Sequence, residues 1–149
     1  MERRAQGFTL TELLVAIAIV AVVSAIALPL YTQYSQRTYA AEVQADLLNC
    51  AQSLERFSAL NFSYAGTAVG GVDAGLIDPD ICDATSVRNA RYAISINATA
   101  TGYTLTAVPQ GGDAMAGTGN MTLDDAGART WDDDGDNNIA ADENDWIKD

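Results

Sequence analysis

The first part of the chain passes from a continuous apolar run to a helical periodicity. From Leu13 to Leu30 only Ser24 and Pro29 interrupt the apolar side chains, which is long enough for a helix that spans a bilayer. Beyond this run, one apolar residue recurs every three or four positions: Val43, Leu47, Cys50, Leu54 and Phe57. Three acidic residues fall off that row: Glu42, Asp46 and Glu55. The pattern predicts a helix over 8–60, bent or locally melted at Pro29 because proline lacks an amide donor.

The second half of the chain has the shorter alternation that is typical of β-strands. Residues 63–86 are rich in glycine, aspartate and small side chains, and they predict an irregular loop. Apolar and polar residues then alternate in four segments: 92–98, 103–107, 121–123 and 128–131. Short alternating segments separated by glycine and aspartate predict an antiparallel meander that packs one face on the helix. The predicted fold class is therefore α+β.

The charge of the chain limits what it binds. Formal net charge is −12, and residues 124–149 hold ten acidic residues against two basic ones. A chain with this charge repels nucleic acid, so we expect no nucleic-acid binding. The chain has no histidine, which removes the commonest general base. Because the acidic residues also cluster without a nucleophile and base pair, the sequence argues against an enzyme.

The residues that precede the apolar run predict export of the remainder of the chain. Arg3 and Arg4 lie directly before the run and favour the cytoplasmic side of the membrane. A signal peptidase cut at the small residues 24–27 is one possibility. A cut after Gly7, which keeps the apolar helix, is another, and an uncut single-pass anchor is a third. Glu12 needs a partner in any case, since a charge in the bilayer costs roughly 2.5 to 3.5 kcal/mol.

The stretch RAQGFTLTELLVAIAIVAVVSAIALPLY resembles the class III signal and N-terminal helix of type IV pilins. That family has a short basic leader, then Gly, then Phe-Thr-Leu-x-Glu, then about twenty apolar residues. Gly7, Phe8 and Glu12 fall on this pattern, and so do Thr9 and Leu10. YTLTAVPQ and MTLDDAGART further on resemble the sheet of minor pilins of the PilE type. The resemblance extends over nearly the whole chain and is strongest before residue 40.

The resemblance implies a type IV pilin fold and a processing step. A prepilin peptidase would cut between Gly7 and Phe8, and the new amino terminus of Phe8 would be N-methylated. Glu12 would neutralise the terminal amine of a neighbouring subunit during filament assembly. The organisation would be a leader, a membrane anchor that becomes the filament core, and a globular head: 1–7, 8–34 and 35–149.

By the same resemblance, the protein is a structural subunit of a type IV pilus filament. Its partners would be other pilin subunits, prepilin peptidase and the inner-membrane assembly machinery. It would cross the inner membrane once and then enter an extracellular filament that serves twitching motility, adhesion or DNA uptake. Two alternatives stay open: a pseudopilin of a type II secretion system, and a calcium-dependent binding head on a permanent single-pass anchor.

Cys50 and Cys82 are the two cysteines of the chain. In an exported head they most simply form one disulfide that pins the loop to the helix, worth about 3 to 4 kcal/mol. Two free buried thiols are the alternative. The pilin family often closes its C-terminal region with a disulfide, but no cysteine follows Cys82 here. Something else must hold the end of this chain.

The sequence DDDGDNNIAADE over residues 132–143 has the spacing of a twelve-residue calcium loop. Calcium prefers oxygen ligands, supplied in such loops at positions 1, 3, 5, 7 and 12. Those positions fall on Asp132, Asp134, Asp136, the carbonyl of Asn138, and Glu143. Position 6 has asparagine instead of the usual glycine, and no flanking helices are evident. The sequence predicts an isolated calcium site that closes the C-terminal segment, and a solvated acidic tail is the alternative.

Overall fold

The computed structural model describes residues 8–88, 90–110, 112, 118–132, 135, 136 and 146. Two helices and five strands lie in this part of the chain: α1 Leu10–Asn61, β1 Ala74–Leu76, α2 Thr85–Arg88, β2 Tyr92–Ala98, β3 Tyr103–Pro109, β4 Met121–Asp124 and β5 Arg129–Trp131. The chain divides into two compact units, Met1–Ser35 and Gln36–Asp149. Helix α1 begins in the first unit and ends in the second.

The first unit is the apolar part of α1. Its large apolar side chains from Leu10 to Leu30 are 51 to 75% exposed, so the chain itself buries none of them. By length and composition, α1 contains a segment that could cross a membrane. Local melting at Pro29 is not seen, because α1 continues through it. The Thr32 hydroxyl donates to the Pro29 carbonyl oxygen at 2.8 Å, which adds a local bond in the turn after the proline.

The second unit contains a five-stranded sheet in the order β1-β2-β3-β4-β5. Every neighbouring pair is antiparallel, so the predicted meander is confirmed. The prediction of an irregular loop over 63–86 was wrong in part, since this segment contains β1 and the start of α2. All three residues of β1 are exposed and its centre is Gly75, which lies opposite Ile96. An exposed strand of three residues has no apolar alternation to detect.

One face of the sheet and one face of α1 share a hydrophobic core. The helix contributes four side chains with no exposed surface, all of them predicted: Val43, Leu47, Cys50 and Leu54. Phe57 is half-buried. The sheet contributes the inward residues of its strands, among them Tyr92, Ile94, Leu105, Met121 and Leu123. The prediction that the acidic residues lie off the apolar face of α1 was wrong for Asp46, which is only 6% exposed. It lies three residues after Val43 and four before Cys50, which puts it on the buried face.

A disulfide joins α1 to the loop before α2. Cys50 and Cys82 are bonded, with their Cα atoms 5.1 Å apart, so the predicted pairing is confirmed and the alternative of two free thiols is wrong. The bridge closes a separation of 32 residues, for which chain entropy predicts a gain of about 3 to 4 kcal/mol. A second tie lies nearby, where Arg91 pairs with Glu42 and stacks 4.1 Å from the centre of the Tyr39 ring.

Candidate assembly site and C-terminal clamp

Glu12 forms a hydrogen-bonded cap at the start of α1. The backbone N–H and the hydroxyl of Thr9 each donate to Glu12 Oε2 at 2.9 Å. In return the Glu12 backbone N–H donates to the Thr9 hydroxyl oxygen at 3.2 Å. This reciprocal arrangement is a capping box, which satisfies two amide donors that the first helical turn would otherwise leave free.

The capping box was missed in the sequence, although the signal was there. Thr9, Leu10, Thr11 and Glu12 form the T-x-x-E pattern before an apolar run, which marks a helix N-terminus. Glu12 therefore has local partners before any other subunit arrives. Its carboxylate remains on an exposed residue, so it can also meet a cation.

The predicted cleavage site lies just before this cap. Phe8 is 91% exposed and precedes α1, which begins at Leu10. Gly7 lies outside the described residues. Cleavage and N-methylation at Phe8 stay predictions, and so does the pairing of Glu12 with the amine of a neighbour.

A second constellation holds the end of the chain. Trp146 is only 5% exposed, and its indole N–H donates to the Thr130 carbonyl oxygen in β5 at 3.2 Å. The side-chain amide of Gln44 in α1 donates to the Trp146 carbonyl oxygen at 3.2 Å. Arg129 stacks 5.0 Å from the centre of the Trp146 ring. We call Gln44, Arg129, Thr130 and Trp146 the tryptophan clamp.

Asp132 lies just after β5 in a confined position. It is 2% exposed, and its Oδ1 accepts the backbone N–H of Gly135 at 2.7 Å. Its backbone pairs with the segment before β4, through Gly119 N–H at 2.7 Å and the Asn120 carbonyl at 3.0 Å. A Cβ on Gly119 would stand 2.2 Å from Asp132 Oδ2, so only glycine leaves room for this carboxylate.

The predicted calcium loop is described in part. Asp132 and Asp136 lie in the described residues, whereas Asp134, Asn138 and Glu143 lie outside them. Asp132 is buried and Asp136 is exposed. Within the described ranges, no group of three or more acidic, cysteine or histidine side chains could hold a metal ion. Asp132 Oδ1 already accepts the amide of Gly135, and carboxylate oxygens are the ligand type that calcium prefers. The calcium site stays a prediction.

The head has few basic side chains, and several of them already interact with neighbouring side chains. Residues 36–149 contain six basic residues against eighteen acidic ones, a balance of −12. Arg91 is paired with Glu42, and Arg129 stacks on Trp146. Arg56 donates to the Ser53 hydroxyl oxygen at 3.2 Å. These three arginines therefore do not form a basic surface patch.

Three features together define a type IV pilin: a long apolar N-terminal helix, a glutamate in the cap of that helix, and a following head with an antiparallel sheet. Residues 29–122 match the family model described as type IV minor pilin ComP, DNA uptake sequence receptor. Residues 3–28 match the model described as prokaryotic N-terminal methylation motif. The first match covers more than half of the 149 residues, and the chain belongs to the type IV minor pilin ComP family.

The family assignment agrees with the long apolar helix of the first unit. The methylation motif and the long apolar helix belong to a membrane-anchored pilin that is later assembled into an extracellular pilus. Pilins are structural proteins and not enzymes, and they assemble with other pilin subunits.

Proposed function

We propose that a prepilin peptidase cuts this chain between Gly7 and Phe8, and that the mature protein polymerises through α1 as a non-enzymatic pilus subunit. The observation that supports this most is the exposure of the large apolar side chains from Leu10 to Leu30, all 51% or more. A helix that is apolar on all sides needs an apolar environment on all sides. The membrane supplies it before assembly, and packed helices of other subunits supply it afterwards.

The capping box gives Glu12 a defined orientation for this assembly. Both bonds from Thr9 go to Oε2, and we assign Oε1 to the methylated amine of a neighbouring Phe8. An exposed, preoriented carboxylate costs less entropy to pair than a freely rotating one. The charge pair then makes the transfer of Glu12 from the bilayer into the filament energetically favourable. The match to a pilin family favours this role over a pseudopilin or a permanent anchor.

Processing at Gly7 is the first prediction. In Gly7→Leu the bulky side chain should block the peptidase, so mass spectrometry should find the leader still attached and the filament fraction should lack the subunit. Ala5→Leu adds the same side chain within the leader, away from the cut, and should be processed normally. A mature Phe8 terminus in Gly7→Leu would contradict the proposed cut.

We further propose that this head does not bind duplex DNA directly, although the matched family is described as a DNA receptor. Binding to DNA depends on neutralising phosphates with lysine and arginine. Here the balance of residues 36–149 is −12, and Arg91 and Arg129 are held by Glu42 and Trp146. The purified head, residues 36–149, should therefore show no DNA retention in a filter-binding assay at low salt, where electrostatic binding is strongest. Retention that is lost as salt is added would contradict the proposal.

Calcium binding by the acidic loop is a separate proposal, supported by the ligand spacing and by the position of Asp132. The cation would be held by Asp132, Asp134, Asp136, Asn138 and Glu143, and it would supply a charge that offsets the repulsion between the aspartates. A ligand that binds the folded state alone adds about 2.7 kcal/mol at 100 times its dissociation constant.

The calcium prediction is tested by thermal unfolding of the protein with and without calcium. The unfolding temperature should rise with calcium and much less with magnesium, which demands a tighter octahedral shell. Asp134→Ala or Glu143→Ala should abolish the rise, while Asp149→Ala outside the loop should leave it. An unfolding temperature that does not respond to calcium would leave a solvated acidic tail.

A further inference from the structure

Two tyrosines follow the apolar run of α1 directly. Tyr31 is 70% exposed and Tyr34 is 71% exposed, and both belong to the first compact unit of the chain. They are three residues apart in a continuous helix, so their side chains are neighbours on one face of it. We call Tyr31 and Tyr34 the tyrosine pair.

The apolar run by itself does not fix where the membrane ends along α1. No charged residue lies between Glu12 and Arg37 in the sequence, a stretch of 24 residues that makes about 36 Å of helix. The hydrocarbon core of a bilayer is about 30 Å thick. The uncharged stretch is therefore longer than the core by about one helical turn, and its polar and aromatic residues decide which part lies inside.

The two polar residues between the tyrosines limit the position of the outer boundary. The Thr32 hydroxyl donates to the Pro29 carbonyl oxygen at 2.8 Å, so its polar group is satisfied within the helix and tolerates apolar surroundings. Gln33 is exposed, and its side-chain amide needs hydrogen-bond partners that hydrocarbon does not provide. The boundary of the core therefore lies before Gln33, at the level of the tyrosine pair.

Tyrosine has the chemistry that this level of a membrane favours. Its ring is apolar and its hydroxyl is polar, so the side chain is most stable where hydrocarbon meets water. Aromatic side chains at this level also limit how far a spanning helix slides or tilts. The exposure of both rings in the isolated chain leaves them available for lipid.

We propose that the tyrosine pair binds the headgroup region on the exported side of the membrane and fixes the depth of α1 there before assembly. The inference rests on the proposed membrane stage of this pilin and names the lipid surface that holds it. Arg3 and Arg4 flank the other end of the run, but the proposed cut after Gly7 removes both. The mature sequence then has no basic side chain before Arg37, so the tyrosine pair is the anchor that cleavage leaves in place.

This depth also determines where Glu12 lies in the membrane. Tyr31 follows Glu12 by 19 residues, which is about 28 Å along an upright helix. With Tyr31 at the outer boundary of a core of about 30 Å, Glu12 lies just within the inner boundary. The carboxylate is then kept away from the centre of the bilayer, where a charge is most costly.

Cysteine accessibility in phosphatidylcholine vesicles tests the boundary with lipid as the only partner. Cys50 and Cys82 are joined in a disulfide, so a cysteine introduced into the purified protein is the free thiol that a membrane-impermeant maleimide labels. Gln33→Cys should react within about twofold of Thr38→Cys, and Ala27→Cys at least about tenfold more slowly. Protection of Gln33→Cys, or ready labelling of Ala27→Cys, would put the boundary elsewhere and overturn the proposal.

Matched substitutions of the pair test whether the tyrosines set this boundary. The Gln33→Cys reporter lacks the amide, so the two rings alone mark the level there. Tyr31→Leu with Tyr34→Leu extends the apolar run, so labelling of Gln33→Cys should fall at least about fivefold while Thr38→Cys stays unchanged. Tyr31→Trp with Tyr34→Trp keeps rings with a polar end and should label like the parent. Equal labelling in the leucine and tryptophan variants would overturn the anchor.

The same reporters in cell membranes distinguish lipid from a protein partner. Protection of Gln33→Cys in cells but not in vesicles would assign this face to a protein neighbour and overturn the lipid contact. The filament role is read separately, from the leader and from the sheared filament fraction. A chain that keeps its leader and never enters filaments would contradict that role, whereas the labelling boundary alone decides the anchor.

Discussion

Glu12→Ala is expected to remove this subunit from the filament fraction while the protein still enters the membrane and loses its leader. The substitution makes the apolar segment more apolar, so insertion should not suffer. It also removes the anionic partner that we assign to the methylated amine of the neighbouring Phe8. The measurement compares the sheared filament fraction with the membrane fraction on immunoblots, and the mature mass confirms that cleavage occurred.

The structure makes this experiment more specific, because Glu12 has a second role in the capping box. Glu12→Gln keeps the size of the side chain and an oxygen that can accept from Thr9, since glutamine also fits a capping box. Thr9→Ala removes the hydroxyl of the capping box and keeps the charge, at a cost of about 1 kcal/mol to the helix, while the backbone N–H of residue 9 can still donate to Glu12 Oε2. If pairing with the amine drives assembly, Glu12→Gln should be as defective as Glu12→Ala, and Thr9→Ala should assemble at a reduced level.

The opposite ranking would assign Glu12 to helix capping. Normal incorporation of Glu12→Gln into filaments, together with no incorporation of Thr9→Ala, would show that the first turn of α1 matters and that the charge does not. Filaments with normal abundance of Glu12→Ala subunits would contradict both roles.

The parts of the fold with a strong period were predictable. Val43, Leu47, Cys50 and Leu54 repeat at helical spacing and all are buried, and β2 and β3 alternate over seven residues each. Strand β1 was missed because three exposed residues show no period. The burial of Asp46 was missed because a carboxylate was assumed to face solvent, although its spacing from Val43 and Cys50 places it on the core face.

The two sites differ in how far the sequence could reveal them. The capping box is local, since Thr9 and Glu12 are three residues apart, so the T-x-x-E pattern contained it. The tryptophan clamp is not local, because Gln44 is 102 residues from Trp146. Trp146 stands in a strongly acidic segment, whose composition suggests solvation. Only the fold brings β5 and α1 close enough to bury the ring.

Trp146→Ala is expected to destabilise the head by about 3 to 5 kcal/mol, which is typical of a buried tryptophan truncated to alanine. The ring is 5% exposed, its N–H bonds to the Thr130 carbonyl oxygen, and its backbone carbonyl accepts from Gln44. Trp146 is therefore held against both β5 and α1. Because residues 36–149 form a compact unit, urea unfolding of that fragment is a suitable measurement.

Matched variants resolve how the clamp works and whether calcium shares its task. Trp146→Phe keeps an apolar ring but loses the donor to Thr130, which should cost about 1 kcal/mol for the hydrogen bond, plus a smaller packing loss. Asp149→Ala, near the same end, should change the free energy of unfolding by less than about 0.5 kcal/mol.

If calcium and the clamp hold the same segment, their effects should be coupled, and Trp146→Ala should weaken the response to calcium. The proposal would be contradicted if the free energy of unfolding of Trp146→Ala stayed within about 1 kcal/mol of wild type, both in calcium and in chelator. Neither the tryptophan clamp nor calcium would then hold the end of the chain.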